Sequence, residues 1–443
     1  MSSMGLKNFL LISMLLSLLI VGLSGADQSL SSTIEQYMHA QATVNRFSGA
    51  VLVAHDGKVL FSKSYAISNL KPGTVDTPAT RFPVGSIAMQ FTDVAILQLE
   101  AKGKLHVQDS VCKYIKQCAM DWQRITLFEL MTHTSGIPAI PDGEKSSPDV
   151  PTTSRLIDRI KKEPLRFKPG EKLESSYSED EVLHATIEEV SGQDYSTYFH
   201  EHIFAPLEMR DTGYVPHNSS ASSATAPLLM PSDVRLSFGY TAARLYSTVD
   251  DLYLWDRALT TEKLAPTKSV QEMFTPYRDG YGFGWMIQKH LDRKLATQGG
   301  GLRTYSSSVL RYPDDHACVI VLSQSDTTDA QKVGKDLAAI MFGAEYEVPV
   351  EHKAIRLDPD RLDEYVGRFA ISPDFVLTIT KESDHLMVQT ADHANIEILP
   401  ESEIQFFVKD SETKIQFVRL ANGYVTELVL QQGGRDIPAK RIN

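Results

Sequence analysis

Arg81-Phe82-Pro83-Val84-Gly85-Ser86-Ile87-Ala88-Met89-Gln90-Phe91-Thr92 is the stretch on which the reading of the fold turns. From Ser86 onward, Ile87, Phe91, Val94, Ala95, Leu97, Gln98 and Leu99 mix apolar and polar residues at helical spacing. Ser86 therefore stands where a glycine turn runs into a helix. Two roles suit a serine there: an N-cap that accepts a backbone N–H of the first turn, or a catalytic nucleophile.

The longer run Arg81 to Ile115, "FPVGSIAMQFTDVAILQLEAKGKLHVQDSVCKYI", resembles the nucleophile helix of the serine β-lactamase and penicillin-binding-protein superfamily, nearest its class C-like esterase and carboxypeptidase branch. That resemblance implies a lysine three residues after the serine, and the residue here is Met89. Further along, Thr132-His133-Thr134-Ser135-Gly136 is similar to the family's "THTSG" turn, which assigns His133 to architecture, its ring nitrogens fixing nearby backbone. Tyr177-Ser178-Glu179 occupies the family's "YSN" position, with Glu179 where the asparagine stands, ahead of a helix ending at Ser191-Gly192. Leu245 to Leu252 repeats "LYSTVEDL" with one change. Tyr281-Gly282-Phe283-Gly284-Trp285 resembles "YGLGW" and leads to Thr297-Gln298-Gly299-Gly300-Gly301, the third element, in which Gln298 replaces a lysine or histidine.

The resemblance implies an α/β (α+β) fold, a serine β-lactamase-like antiparallel sheet flanked by helices. The hairpin signal at Asp56-Gly57, between two β-rich runs, opens that sheet. From about Glu347 short alternating strands recur, such as Val376–Ile379, Leu386–Gln389, Ile396–Leu399, Ile404–Val408, Ile415–Val418 and Val425–Leu430, and predict a small up-and-down β-barrel. "YVGRF" and the closing Ala439-Lys440-Arg441-Ile442 resemble the lipocalin-like domain appended to this hydrolase branch. The expected organisation is a signal peptide over 1–26, a β-lactamase-like domain over 27–346 and the barrel over 347–443.

Composition bounds the partners. A formal net charge of −12 argues against nucleic acid and anionic membrane surfaces as electrostatic partners. Lys7, the apolar run Phe9 to Leu23 and Ser24-Gly25-Ala26 predict a signal peptide, and secretion or a periplasmic location, with an uncleaved anchor as the alternative. No later stretch is apolar enough to span a bilayer. Of three cysteines, Cys112 and Cys118 either bridge a small loop or remain free like Cys318. Ser110-x-x-Lys113 falls in the turn after the nucleophile helix and is coincidental, and His200-Glu201-His202 sets its histidines on different helical faces. No cofactor motif and no metal-ligand pattern is present.

An acyl-transfer serine needs a group that takes its proton. The family gives that task to the lysine and the tyrosine together, so Met89 leaves Ser86 with Tyr177 alone, or with Glu179 as an unusual base. A thioether carries no charge and accepts hydrogen bonds weakly. Gln298 can donate a hydrogen bond but not a charge, and Arg303 is the candidate replacement cation. The Ser86 and Gly301 N–H groups form the implied oxyanion hole, beside Gly299 and Gly300. The ligand expected is a small ester or amide, or a peptidoglycan fragment. Three functions fit: a catalytically impaired hydrolase or pseudoenzyme, a divergent esterase or amidase working through a Ser86 acyl-enzyme, and a non-catalytic binding module for a cell-wall fragment or a protein partner.

Overall fold

The computed structural model describes residues 29–65, 79–139, 153–215, 244–302, 305–325, 328–372, 375–389, 395–409, 413–420, 423–432 and 435–442. The expected signal peptide, Arg303 and residues 140–152 lie outside them.

A helix over 29–44, α1, realises the amphipathic pattern of that segment. Strands β1 (Gly49–His55) and β2 (Lys58–Tyr65) form the expected hairpin. Asp56 and Gly57 both take positive φ (+50° and +76°), which is the backbone that a two-residue turn matching strand twist requires. Three short strands, β3 (Phe82–Pro83), β4 (Gly213–Tyr214) and β5 (Leu245–Ser247), make a small second sheet in the order β3-β5-β4. Then come β6 (Met286–His290), β7 (Arg293–Leu302), β8 (Tyr305–Tyr312) and β9 (Ala317–Ser323). With β1 and β2 they build one antiparallel sheet ordered β2-β1-β9-β8-β7-β6. The central strands β1, β8 and β9 are buried nearly throughout, and β1 and β9 read accordingly as Val/Ile/Leu-rich runs.

Helices α2 (Ala88–Ala101), α3 (Leu127–Met131), α4 (Tyr177–Ser191) and α5 (Val249–Ala258) pack into the core that also includes the sheet. Helix α2 is buried on all sides from Ala88 to Leu99, so it runs through the middle of this domain. Phe91 stacks on Trp255 at a centroid distance of 4.1 Å, and Trp255 Nε1 donates to Gln90 Oε1 at 2.9 Å. These contacts fix α2 to α5 and with it the helix start that carries Ser86.

The C-terminal strands β10 (Gly367–Ser372), β11 (Phe375–Glu382), β12 (His385–Gln389), β13 (Ile396–Pro400), β14 (Gln405–Val408), β15 (Lys414–Arg419), β16 (Val425–Gln432) and β17 (Arg435–Ile442) pair in sequence, and β10 closes on β17. The result is an eight-stranded up-and-down barrel. Alternation along β11 and β15 turns Leu377, Ile379, Ile415 and Phe417 inward. Tyr365, Phe406 and Phe417 meet at centroid distances of 4.9–5.2 Å and fill its interior.

Cys112 and Cys118 are disulfide-bonded, their Cα atoms 5.2 Å apart, while Cys318 is a buried thiol. Ser110 caps the short turn that begins this loop and Lys113 pairs with Asp109 at 2.8 Å, which accounts for that Ser-x-x-Lys. Among the described residues no helix is long and apolar enough to cross a membrane.

Candidate active site

Ser86 lies in a 3-10 turn, Gly85–Ile87, that runs straight into α2. The residue at the N-cap of α2 is Ile87, and no side chain caps that helix, so the N-cap role for Ser86 is not realised. Its hydroxyl instead stands 3.1 Å from Tyr177 Oη, within hydrogen-bond distance. Two backbone contacts hold the turn's entry: Phe82 and Pro83 pair with Ser247 and Tyr246 of β5, and Val84 N donates to Leu245 O at 3.1 Å. This is what the "LYST" segment does for the site.

Strand β7 supplies the opposite wall. Its residues Arg293–Thr297 pair with β6, but Gln298–Leu302 continue past the end of that strand and lie along the nucleophile turn. The approach is close enough to require glycine: a Cβ on Gly300 would lie 2.2 Å from Val84 O and 3.1 Å from Ser86 N. Gly85 has φ +56°, and a Cβ there would meet Gly300 Cα at 3.1 Å and Gly301 N at 3.2 Å. A Cβ on Gly301 would meet nothing within 4 Å, so open space lies beside it. Ser307, on β8 opposite Gly300, donates from Oγ to Val84 O at 2.9 Å and ties the strand to the turn. Ser307 was not singled out in the sequence; a serine paired with the glycine triplet is the only signal there.

Tyr177 begins α4, whose N-cap is Ser176. Burial raises the Tyr177 phenol above its ordinary value and Asp180 adds to the rise, while the Ser86 hydrogen bond offsets part of it. Met89 is 4% exposed and packs as apolar filler on α2. No ammonium stands at that position to favour a tyrosinate.

Glu179 departs from its expected place as a substrate contact or a base. It is 1% exposed and serves as the N3 residue of a capping box, Oε2 accepting from Ser176 N at 3.3 Å. Oε1 accepts from Ser135 Oγ at 2.5 Å, and His133 Nδ1 lies 2.6 Å from Oε2. Its oxygens are thus engaged inside the protein. The physical reason is the cap: a glutamate at N3 reaches back to its own helix start, whereas an asparagine side chain is one methylene shorter. His133, held at φ +53°, is architectural, yet its ring nitrogens serve side chains and not backbone, because Nε2 lies 3.1 Å from Tyr281 Oη. Burial pushes the Glu179 carboxyl up, and His133 and Ser135 pull it back in part.

Below Met89, one turn along α2, Asp93 is buried with its carboxyl pushed well above the usual range by burial and by Asp180 and Glu179. Among the described residues both Asp180 oxygens lack a hydrogen-bond partner, although His184 Nε2 approaches one at 3.5 Å. Among the described residues none of Asp93, Glu179 and Asp180 has a lysine or arginine partner. Gln298 Nε2 points at Ser86 O at 3.4 Å.

A serine at a helix start, bonded to a tyrosine and flanked by a glycine-lined strand edge on an antiparallel sheet, defines a serine-hydrolase scaffold of the penicillin-recognising kind. The chain belongs to the β-lactamase family, whose model, described as Beta-lactamase, matches residues 30–340. Residues 351–441 match a domain of unknown function, DUF3471. Over 433 residues the chain is 26% identical to penicillin-binding protein 4* of Bacillus subtilis (strain 168), covering 90% of this chain and 95% of that one. It is 33% identical over 255 residues to the putative penicillin-binding protein PbpX of the same organism, covering 54% of this chain and 62% of that one. Among solved structures, an octameric penicillin-binding protein homologue from Pyrococcus abyssi superposes with a TM-score of 0.63 at 22% identity, covering 92% of this chain and 99% of that one.

Proposed function

We propose that the chain is an exported, catalytically impaired serine hydrolase: it forms an acyl-enzyme at Ser86 with activated small esters or amides, and turns over β-lactams and peptidoglycan termini poorly. The 3.1 Å contact between Ser86 Oγ and Tyr177 Oη carries this reading. In the reaction the hydroxyl proton passes to the phenolate form of Tyr177 as Oγ attacks the acyl carbon. The Ser86 and Gly301 N–H groups then receive the oxyanion, and the leaving group takes the proton back.

The impairment follows from Met89 and from the raised Tyr177 phenol, whose basic phenolate form is scarce at neutral pH. Loss of a positioned base lowers rates on the order of 10²–10⁴, and nucleophile and oxyanion hole alone retain slow acyl transfer. The same two features favour a second reading, a pseudoenzyme that binds a cell-wall fragment or protein partner without chemistry. Export rests on the leader-like first 26 residues.

Purified protein treated with a fluorophosphonate probe and with a fluorescent penicillin, and read by intact mass beside Ser86→Ala, separates the two. Slow fluorophosphonate labelling of the unaltered chain that vanishes in Ser86→Ala is expected. No labelling at any pH up to 10 would overturn acyl transfer and leave binding.

A further inference from the structure

The hydrogen-bond chain that starts at Glu179 decides which way round the Gln298 amide sits. Glu179 takes Ser135 Oγ on one oxygen and Ser176 N on the other, so it acts as an acceptor, and His133 Nδ1 at 2.6 Å is its N–H donor. Nε2 of the same ring lies 3.1 Å from the Tyr281 hydroxyl, whose oxygen carries lone pairs that accept. The Gln298 side chain lies against that oxygen as a donor. Its other neighbour, the Ser86 carbonyl oxygen at 3.4 Å, can only accept. Two acceptors on one side require the NH₂ group there, which turns Oε1 away from both. Gln298 is half-buried, and among the described residues Oε1 has no hydrogen-bond partner.

We propose that Gln298 is a specificity-determining residue that offers the acyl donor a carbonyl acceptor, so the site selects substrates bearing an N–H donor, an ammonium included, next to the scissile bond and disfavours a carboxylate there. This rests on the acyl-transfer reading of Ser86. Positioning of the amide falls to Tyr281 and, through it, to His133 and Glu179.

The test uses two ligand pairs matched in shape. The first is alanine p-nitrophenyl ester against the mono-p-nitrophenyl ester of methylmalonic acid, measured as acylation of the full chain and divided by hydrolysis in buffer. The second is alaninamide against methylmalonamate, measured by calorimetric binding to Ser86→Ala. In both pairs the ammonium compound is expected to be favoured by about tenfold or more, as for a hydrogen bond to a charged group. Gln298→Lys should reverse the order. Tyr281→Phe, which removes one of the acceptors holding Nε2 inward, should shrink the preference, whereas a purely structural loss would weaken both ligands alike. A carboxylate ligand bound as tightly as its ammonium partner, or no binding of either, overturns the inference. Acylation by neither ester overturns the acyl-transfer reading alone, because the calorimetric order in Ser86→Ala still judges Gln298.

Discussion

The two walls around Ser86 are made of different material. On the β7 side the site is backbone: a glycine strand edge past the end of β6, fitted so closely that a Cβ on Gly300 would lie 2.2 Å from Val84 O. On the α2–α4 side it is side chains: Met89, Asp93, Tyr177, Glu179 and Asp180. The first wall is built on glycines; the second gathers carboxyl groups that have no lysine or arginine partner among the described residues. Backbone geometry is locked by sterics shared among three elements, while side-chain chemistry changes one residue at a time with the fold intact. That difference can be broken or sharpened by experiment.

The largest effect is expected from restoring the side-chain wall. Met89→Lys places an ammonium between the Ser86–Tyr177 pair and the Asp93 and Asp180 side chains, and should raise the rate at which the fluorophosphonate probe phosphonylates Ser86 on the order of 10²–10⁴. An unchanged rate would mean that the two walls are no longer in register. Damage to the backbone wall comes next. Gly300→Ala forces β7 away from the turn and should lower acylation about 10²-fold, with the barrel's melting unaffected. Third is pH. Because the Tyr177 phenol is raised above its usual value near 10, the base form is scarce at neutrality, and acylation should climb about tenfold per pH unit through pH 10 without a plateau. A plateau near pH 7 would expose a different base.

The smallest effect is on stability. Asp93 has a folded-state pKa above its unfolded value, so its contribution favours the folded chain at low pH and is lost as pH rises from about 4 toward the folded value. Asp93→Asn should therefore stabilise the protein at pH 8 by about 1–2 kcal/mol and leave it unchanged at pH 3, read by urea unfolding at both values.

The sequence made the backbone wall easier to read than the side-chain wall. Asp56-Gly57, Gly85 and the Gly299–Gly301 triplet announce turns and close approaches because few residues can take their place. The barrel strands showed through their alternation. Glu179 was harder. Its distance from Ser176 fits a capping box as well as a site contact, and only the positions of His133 and Ser135 decide between them. Tyr281 stood within a recognisable motif, but its hydroxyl meets His133 from 148 positions away, a pairing no local pattern encodes. Asp93 and Asp180 passed as polar residues on helices because burial all round α2 is a property of the packed domain.

The barrel's last seam has a practical side. Its closure rests on three register pairs, Arg368 with Ile442, Phe369 with Arg441 and Ala370 with Lys440. Removing residues 440–442 would turn a ring without ends into a sheet with two raw edges, each a template for a neighbouring molecule. Such a chain should lose solubility at high concentration before it loses its nucleophile.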